Sequence, residues 1–466
     1  MTSASQKSST NEDTIVAIIT PPGEGGIAAI RLAGGQSLAL LSKHFRAVRK
    51  NESDFKPFLM RYGFFVDDKL EKIDEILAVF MPKERSYTGL EQIEIFSHGG
   101  SLVAKKIQEI LLKSGARAAE PGEFTKLAFL SGRIDLSKAE AVAEIIEANT
   151  QKSFDVAREH LIGNYSKHIE KLRTELIEIL AEVEASIDFP EEEIDPEETS
   201  KLVKRLSNLA RSIKELADSY SGGRIISEGF KVAIAGRPNA GKSSLFNLLL
   251  KQERALVTPT PGTTRDYLSE WIELGGQAVN IIDTAGLRSG GGVIEKAGQS
   301  SAKKIMNQAD LIVWMADLSQ KKWADFLSED LSEDLNRNSI ILGNKIDKVS
   351  LDEKTKKFIS DHNVLPLSCL TSQGVDSFKS VLVNRIAESM PDLTSGLVVT
   401  SARHMQKLKS ALDEIAQAKS KLAENQSPEL TALDLRQAAS ELAEITGRIY
   451  NEDILGQIFS KFCIGK

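Results

Sequence analysis

The stretch KVAIAGRPNAGKSS, residues 231–244, decides how the middle of this chain folds. Its apolar first half predicts a β-strand, and the loop after it, from Gly236 to Ser244, fits the spacing G-x-x-x-x-G-K-[ST]. In such a loop, backbone N–H groups turn toward phosphate oxygens and the next helix offers its positive N-terminus. Lys242 would reach the β- and γ-phosphates, and the Ser243 hydroxyl would bind Mg²⁺. An ordinary glycine turn is the alternative, but it does not account for a strand, a loop and a helix in this order.

Three further motifs indicate which nucleotide the loop holds. DTAG ends a predicted strand, where Asp283 can hold Mg²⁺ through water and the Gly286 N–H can meet the γ-phosphate. In NKID, the Asp347 carboxylate can accept from N1–H and the N2 amino group of guanine, a donor pair that adenine lacks. SCL, residues 368–370, is expected to close over the base. Each motif alone is weak, but together they predict a GTPase.

The segment between these motifs predicts a switch loop and raises a question about hydrolysis. In GTTRD, Thr264 is the expected second hydroxyl on Mg²⁺, with a threonine-rich turn as the alternative. Ras-like GTPases place a glutamine after DxxG to orient the attacking water, but Leu287 stands there in this chain. Because no arginine finger is evident, hydrolysis needs another water-orienting group and another positive charge. Glu295 is a candidate for the first, although a lone surface glutamate is more often only solvated.

The sequence before the P-loop domain contains three segments with different residue patterns. Residues 1–13 form a polar tail that is expected to be disordered. Residues 14–131 contain the apolar runs TIVAIIT and IAAIRLAG and the alternating run LEQIEIF, which predict a small α+β domain. Residues 132–226 follow a helical stripe, with Ser137 as a predicted N-cap and Glu140 as its capping-box partner.

The pattern of the rest of the chain predicts that an α/β domain is inserted into a helical domain. SGGRIISEGF, residues 221–230, reads as a linker, and residues 227–389 then alternate strands and helices as in a doubly wound parallel sheet. Residues 390–466 are helical again and are expected to pack against the helices before the linker. We therefore predict a multidomain fold with an N-terminal α+β domain, a discontinuous α-helical domain and an inserted Ras-like α/β P-loop G domain.

Composition narrows the functional classes. The 466 residues carry a formal net charge of −7, so the whole surface is not a basic nucleic-acid platform, and any RNA contact must come from a local patch or a partner. The two cysteines, Cys369 and Cys463, lie far apart, which predicts a reducing, cytoplasmic compartment without a disulfide framework. No apolar run reaches the ~18 residues of a membrane span.

The tail FCIGK places Cys463 four positions from the last residue. Prenylation requires aliphatic residues after the cysteine, and Gly465 and Lys466 do not fit that signal. The structural alternative is that the tail is the end of a packed helix, with Gly465 as its C-cap. The apolar stripe of that helix consists of Ile454, Leu455, Ile458, Phe459 and Phe462. Whether the thiol is a nucleophile or a structural group stays open.

Four stretches together resemble the MnmE (TrmE) family of tRNA-modification GTPases. They are TPPGEGGIAAIRLAG, PGEFTKLAFLSGRIDLSKAEA, GRPNAGKSSLFN with GTTRD and IIDTAGLR, and the terminal FCIGK. The GTPase motifs are widely shared, whereas the other stretches are specific to this family. The resemblance spans nearly the whole chain after Thr14.

The resemblance implies an activity, cofactors and partners. It implies a homodimer through the N-terminal domain, which also binds a one-carbon folate, 5-formyl- or 5,10-methylene-tetrahydrofolate. With an MnmG-type flavoprotein, in a heterotetramer whose FAD belongs to that partner, such proteins add a carboxymethylaminomethyl or aminomethyl group to C5 of the wobble uridine of certain tRNAs. GTP is the substrate of the G domain, and Mg²⁺ and K⁺ are its ions.

The resemblance also implies roles for individual residues. The catalytic candidates are Glu295, Lys242 and Cys463. The K⁺ ligands are Asn239, Thr258, Thr260 and Thr263, and the Mg²⁺ ligands are Ser243 and Thr264. The folate-contacting positions are Arg31, Glu94, Arg133 and Lys466. The nucleotide contacts are Asn239, Ala240, Gly241, Lys242, Ser243, Ser244, Thr258, Pro259, Thr260, Pro261, Gly262, Thr263, Thr264, Asp283, Thr284, Ala285, Gly286, Asn344, Lys345, Ile346, Asp347, Ser368, Cys369 and Leu370.

Two other classes compete with this interpretation. A ribosome-assembly GTPase, in effect an RNA-binding switch, often carries a basic domain after the G domain, whereas this chain ends in helices and FCIGK. A lipid-anchored signalling GTPase leaves the long region before the P-loop unexplained. The sequence therefore favours an enzyme of tRNA modification.

Overall fold

A computed structural model gives the fold and describes residues 13–49, 54–188, 196–256, 268–284, 304–320, 322–327, 338–349, 353–390, 397–424 and 426–466. The chain divides into two compact units, one comprising Met1–Ala143 with Ala443–Lys466 and the other Glu144–Leu442. Among the described helices, none is long and apolar enough to cross a membrane.

Strands and helices follow in chain order. The strands are β1 (Ile15–Ile18), β2 (Ile27–Ala33), β3 (Phe45–Ala47), β4 (Arg61–Val66), β5 (Lys72–Met81), β6 (Gln92–His98), β7 (Arg117–Ala118), β8 (Phe230–Gly236), β9 (Arg254–Ala255), β10 (Leu268–Leu274), β11 (Gln277–Asp283), β12 (Leu311–Asp317), β13 (Ser339–Asn344) and β14 (Val364–Pro366). The helices are α1 (Ser37–His44), α2 (Ser101–Lys113), α3 (Glu123–Leu130), α4 (Leu136–Glu147), α5 (Gln151–Ile162), α6 (Asn164–Asp188), α7 (Pro196–Asp218), α8 (Tyr220–Glu228), α9 (Lys242–Gln252), α10 (Glu353–Asp361), α11 (Val375–Glu388), α12 (Ala402–Ala423), α13 (Pro428–Thr446) and α14 (Glu452–Phe459).

The first unit is built on a sheet with the strand order β3-β4-β5-β6-β2-β1-β7. Neighbouring strands are antiparallel except β1 and β7, which are parallel. Because side chains alternate between the two faces of a strand, β1 contributes to two cores. Val16 packs with Ile30 in a core that includes side chains of α1 and α2. Ile15 packs with Phe124 of α3 on the opposite face.

The C-terminal segment belongs to the first unit. Helix α14 packs its apolar side chains against α3 and α4, and Leu455 is fully buried. The helix ends at Phe459, earlier than predicted, and Phe462 of the predicted stripe joins the same core from beyond the helix. The shared core consists of Phe129, Leu136, Ala139, Leu455, Phe459 and Phe462. This part of the chain therefore completes a core that the N-terminal residues begin.

Beyond α14, the chain hydrogen-bonds to the N-terminal domain. Ile464 forms an antiparallel bridge with the segment before α3, and the Lys466 carbonyl accepts from the Phe124 N–H at 3.0 Å. Gly465 has φ 98°, and an added Cβ would lie 2.8 Å from a carbonyl oxygen of β1. Because α14 has already ended at its own cap, the prediction of Gly465 as a helix C-cap is wrong. A close backbone contact requires this glycine.

The second unit contains the discontinuous helical domain. Helix α7 precedes the G domain in sequence and α12 follows it, yet the two helices pack along each other. Leu206 and Ile213 of α7 are fully buried, as are Leu408 and Ile415 of α12. The predicted insertion of an α/β domain into a helical domain is confirmed.

The inserted domain has the sheet order β14-β13-β12-β8-β11-β10-β9. The five strands from β14 to β11 are parallel, and β10 and β9 extend the sheet in antiparallel fashion. Its core packs side chains of β8, β11 and β12 against α9 and α11. Since parallel strands share one carboxyl edge, the ends of β8, β11, β12 and β13 lie side by side.

The predicted linker at residues 221–230 is largely the helix α8. Gly222 and Gly223 are buried within it, and a Cβ added at Gly223 would lie 2.1 Å from the Val399 carbonyl oxygen. Gly223 therefore permits close packing against the chain that returns from the G domain, where the sequence suggested a linker.

The predicted N-cap of α4 also requires correction. The helix begins at Leu136, and Asp135 Oδ1 accepts from the Lys138 N–H at 2.9 Å. The same oxygen accepts from the Ser137 hydroxyl at 2.8 Å. Asp135 is therefore the cap, and Ser137 lies inside the first turn.

Candidate active site

A cleft of about 850 Å³ opens at the carboxyl edge of the G-domain sheet. Three predicted segments surround it: the loop after β8, the loop after β13 and the loop after β14. The lining residues are Pro238, Asn239, Gly241, Lys242, Ser243, Ser244, Asn344, Lys345, Asp347, Lys348, Ser368, Cys369 and Leu370. The structure thus brings together segments that are more than a hundred residues apart in sequence.

The P-loop turns sharply after β8, and two glycines permit these turns. Gly236 has φ 137°, and a Cβ there would lie 2.3 Å from the Met315 carbonyl oxygen. Gly241 has φ 106°, and a Cβ there would lie 2.1 Å from the side-chain nitrogen of Asn344. Lys242, the first residue of α9, is buried, and its Nζ donates to the carbonyls of Gly236 and Arg237 at 3.0 and 2.9 Å. The ammonium is therefore held across the loop.

Two oxygens beside the P-loop fit a hard cation. Ser243 Oγ donates to Asp283 Oδ2 at 2.7 Å, and Asp283 is fully buried at the end of β11. A hydroxyl beside a carboxylate is the ligand chemistry that Mg²⁺ prefers. Thr284, another predicted nucleotide contact, turns its hydroxyl toward β8 and donates to the Ile234 carbonyl at 2.8 Å.

The opposite end of the cleft is arranged around Asn344. Its side-chain nitrogen donates to the Ala240 carbonyl at 2.8 Å, and its side-chain oxygen accepts from the Cys369 N–H at 3.1 Å. Asn344 therefore ties the P-loop to the loop that is expected to cover the base. Asp347 lines the cleft beside Cys369. Burial, and then the negative charge of Asp347, raise the pKa of the Cys369 thiol to about 11.

Three predicted contacts differ in what their side chains do. The side chains of Ala240 and Ile346 are buried in separate apolar cores, so these residues can meet a ligand only through their backbone. Leu370, in contrast, is 81% exposed at the rim of the cleft. A side chain this exposed is available to cover a base.

Sequence reasoning missed Asp317, the last residue of β12. Its Oδ2 lies 2.6 Å from Lys345 Nζ. Burial raises the pKa of Asp317, but hydrogen bonds from Lys345 and Ser319 outweigh this effect and hold the pKa below its usual range. The available signal was the run LIVWMAD, which ends in a carboxylate at the same sheet edge as the other motifs.

In the N-terminal unit, two predicted folate positions form a pair. Arg31 on β2 and Glu94 on β6 face each other across the sheet, with Arg31 Nη2 2.8 Å from Glu94 Oε1. The Arg31 guanidinium lies 5.5 Å from the centre of the Phe124 ring, and the Phe124 N–H donates to the carbonyl of Lys466. The tail therefore ends close to this pair. Cys463 is exposed.

Arg133 occupies a different position in the same unit. Its Nη2 donates to the Lys83 carbonyl at 2.9 Å. It lines a cleft of about 1200 Å³ that is bounded by α3, α14 and residues 83–90. Arg31, Glu94 and Lys466 do not line this cleft.

Comparisons with known proteins agree with this architecture. Residues 14–133 match the family described as GTP-binding protein TrmE N-terminus, and residues 136–463 match the MnmE helical domain. A tRNA modification GTPase MnmE from Natranaerobius thermophilus is 41% identical over 98% of this chain and 100% of its own. The chain belongs to the MnmE family.

Other MnmE relatives show similar coverage. The Aquifex aeolicus protein is 40% identical over 97% of this chain, and the Moorella thermoacetica protein is 41% identical over 98%, each matched along its full length. Both are named tRNA modification GTPase MnmE. Among solved structures, the G domain of the T. maritima FeoB iron transporter matches 34% of this chain and 98% of its own at 26% identity, with a TM-score of 0.25.

Several predicted MnmE site residues lie outside the described residues. They are Thr258, Pro259, Thr260, Pro261, Gly262, Thr263, Thr264, Ala285, Gly286 and Glu295. Their roles in switching, K⁺ binding and water activation stay predictions.

Proposed function

We propose that this chain is a K⁺-activated GTPase that drives modification of the wobble uridine in certain tRNAs. Membership of the MnmE family supports a role as a GTPase in tRNA modification. The observation that carries the proposal is the cleft itself. Lys242 and Ser243 line one end of the cleft, which suits the phosphates of GTP, and Asp347 lines the other end, which suits the base; Asn344 connects the two ends.

Each described residue has a role that follows from its position. Lys242 offers an ammonium to the β- and γ-phosphates, and Asp347 selects guanine by accepting from N1–H and the N2 amino group. Ser243 and Thr264, with Asp283 through a water molecule, would hold Mg²⁺, which would supply positive charge to the phosphate oxygens. Glu295 is proposed to orient the attacking water, since Leu287 has no group that can do so.

The K⁺ part of the proposal depends on Asn239. Its backbone is left-handed, with φ 62°, and it lines the cleft beside Lys242. Its side-chain amide oxygen is a suitable ligand for a monovalent cation. Together with Thr258, Thr260 and Thr263, it would place a positive charge where other GTPases use an arginine finger.

The tRNA-modifying part of the proposal concerns the N-terminal unit. Arg31, Glu94, Arg133 and Lys466 are proposed to contact a one-carbon tetrahydrofolate, to which the arginines offer donors and Glu94 an acceptor. Cys463 is proposed to lie near the modification chemistry. We further propose a homodimer through residues 14–131 and, in the cytoplasm, a heterotetramer with an MnmG-type flavoprotein that supplies FAD.

The test compares GTP hydrolysis in KCl and in NaCl at saturating nucleotide, with ATP as a second substrate. We expect faster hydrolysis in K⁺ and no hydrolysis of ATP. Equal rates in the two salts would refute K⁺ activation. Asn239→Ala should lose the K⁺ response while GDP affinity is retained, because the phosphate contacts of the loop are mainly backbone. Asn363→Ala is the matched control, since Asn363 is also exposed and left-handed, with φ 49°.

A further inference from the structure

We propose that Asp317 is a positioning residue of the GTP site. Asp317 holds Lys345, and Lys345 in turn holds the main chain of Asn239. The loop after β13, which carries Asp347, and the proposed K⁺ ligand Asn239 are therefore both positioned by Asp317. The cation half of this inference rests on the proposed function, whereas the half that concerns nucleotide retention rests only on the cleft.

The Asp317 carboxylate is itself held in place. It is 8% exposed at the end of β12, where its register partner on β13 is Asn344. Its Oδ1 accepts from the Ser319 N–H at 3.0 Å and from the Ser319 hydroxyl at 2.6 Å. Its Oδ2 faces Lys345 Nζ at 2.6 Å and Gln320 Nε2 at 3.4 Å. A carboxylate with both oxygens in use can direct the ammonium that it contacts.

Lys345 passes this constraint to the P-loop. Its Nζ donates to Asp317 and also to the Asn239 carbonyl at 3.0 Å. Neighbouring Asn344 donates to the Ala240 carbonyl at 2.8 Å. Two consecutive P-loop carbonyls are therefore bound by two consecutive side chains. The bond from Lys345 restrains the main chain of Asn239 directly, and with it the direction in which the Asn239 side chain points.

The negative charge of Asp317 matters because Lys345 is partly exposed. The Lys345 side chain is 28% exposed, so without its anionic partner the ammonium can turn toward water. Opposite charge attracts the ammonium to the carboxylate in addition to the hydrogen bond, whereas a neutral amide acceptor keeps only the hydrogen bond. We therefore expect Asp317→Asn, which keeps an acceptor but loses the charge, to weaken the anchor, and Asp317→Ala to abolish it.

The experiment uses the full chain and measures two quantities. The first is the K⁺ concentration that gives half-maximal GTP hydrolysis, determined together with the maximal rate. The second is the rate at which a fluorescent GDP analogue leaves the protein in NaCl. Asp317→Ala should raise the half-activating K⁺ concentration about tenfold while the maximal rate stays within about threefold, and should speed GDP release about tenfold. Asp317→Asn should shift both quantities about threefold.

Asp310→Asn is the matched control. Asp310 precedes the other end of β12 and pairs with Arg224, so the substitution also removes a salt bridge but lies far from the cleft. It should leave both quantities unchanged. A lowered thermal midpoint in Asp317→Ala with no shift in K⁺ response or GDP release would assign Asp317 a structural role only and overturn the inference.

The two proposals can fail separately. A wild-type protein that hydrolyses GTP equally in K⁺ and Na⁺ refutes K⁺ activation and, with it, the cation half of this inference. GDP release then decides the other half. Release from Asp317→Ala within about twofold of wild type would reject Asp317 as an anchor, and release about tenfold faster would support it.

Discussion

Replacing Asn344 by alanine tests how much this one side chain contributes to the stability of the cleft. Asn344 is 3% exposed and bonds two loops at once, through Ala240 and Cys369. Alanine removes both bonds and leaves two backbone groups without their partners. We therefore expect the G domain to lose stability as well as nucleotide affinity.

The size of the loss follows from the burial of those two groups. A buried backbone group that loses its partner costs ~1–3 kcal/mol. Ala240 is 2% exposed, so its carbonyl cannot regain water, whereas half-buried Cys369 can recover part of the lost bond. The expected loss is about 2–4 kcal/mol in the free energy of unfolding. In urea, this corresponds to a midpoint that is lower by ~1–2 M.

Tryptophan fluorescence provides the assay. The three tryptophans of the chain, Trp271, Trp314 and Trp323, all lie in the inserted domain. Their emission during urea unfolding therefore reports on the G domain, while circular dichroism also includes the helices outside it. If the fluorescence transition is separate from the dichroism transition, the loss of stability in Asn344→Ala can be assigned to the G domain.

The control is Asn338→Ala, just before the other end of β13. Asn338 is exposed and donates a single bond to the Asp310 carbonyl at 2.9 Å, so its loss should cost less than about 1 kcal/mol. If Asn344→Ala lowers stability no more than this control does, the two-bond account of Asn344 is wrong.

Three other outcomes are expected. Glu295→Ala should lower kcat by roughly 10²–10⁴-fold with little change in GTP affinity, and near-normal turnover would return Glu295 to a solvated surface role. Asp347→Asn should weaken GTP binding and favour xanthosine nucleotides, because the amide can donate to the 2-oxo group, and unchanged GTP affinity would place the guanine contact elsewhere. In a Cys463→Ala variant, alkylation of Cys369 should be slow at pH 8 and rise roughly tenfold per pH unit toward pH 11, because its thiol must first lose a proton. Mass spectrometry measures this reaction, and fast alkylation at pH 8 would contradict the described burial.

The sequence alone predicted the inserted G domain well, because each of its motifs is short and follows a strand. The P-loop, Asp283 and Asn344 lie at strand ends where the spacing placed them. The stretch with Gly222 and Gly223 was predicted wrongly because paired glycines suggest a linker. Here the glycines lie in a helix, and Gly223 packs against the backbone of Val399, a contact that no local pattern contains.

Asp317 illustrates a different limit. A carboxylate at the end of a strand matches no motif, and its partner Lys345 is 28 residues away in sequence. The pair forms only because β12 and β13 are neighbours in register. Such residues can be predicted once the strand order is known, but not from spacing along the chain.

The core shared by α3, α4 and α14 has a consequence for biosynthesis. The two parts of the first unit are separated by about 300 residues. At ~5–20 residues per second, a ribosome needs roughly 15–60 s to cover that distance. Throughout that interval, Phe129 and Leu136 lack Phe459 and its neighbours, and the nascent domain presents an apolar surface. Chaperone capture during translation is therefore expected at α3 and α4, and release only after α14 has emerged from the ribosome.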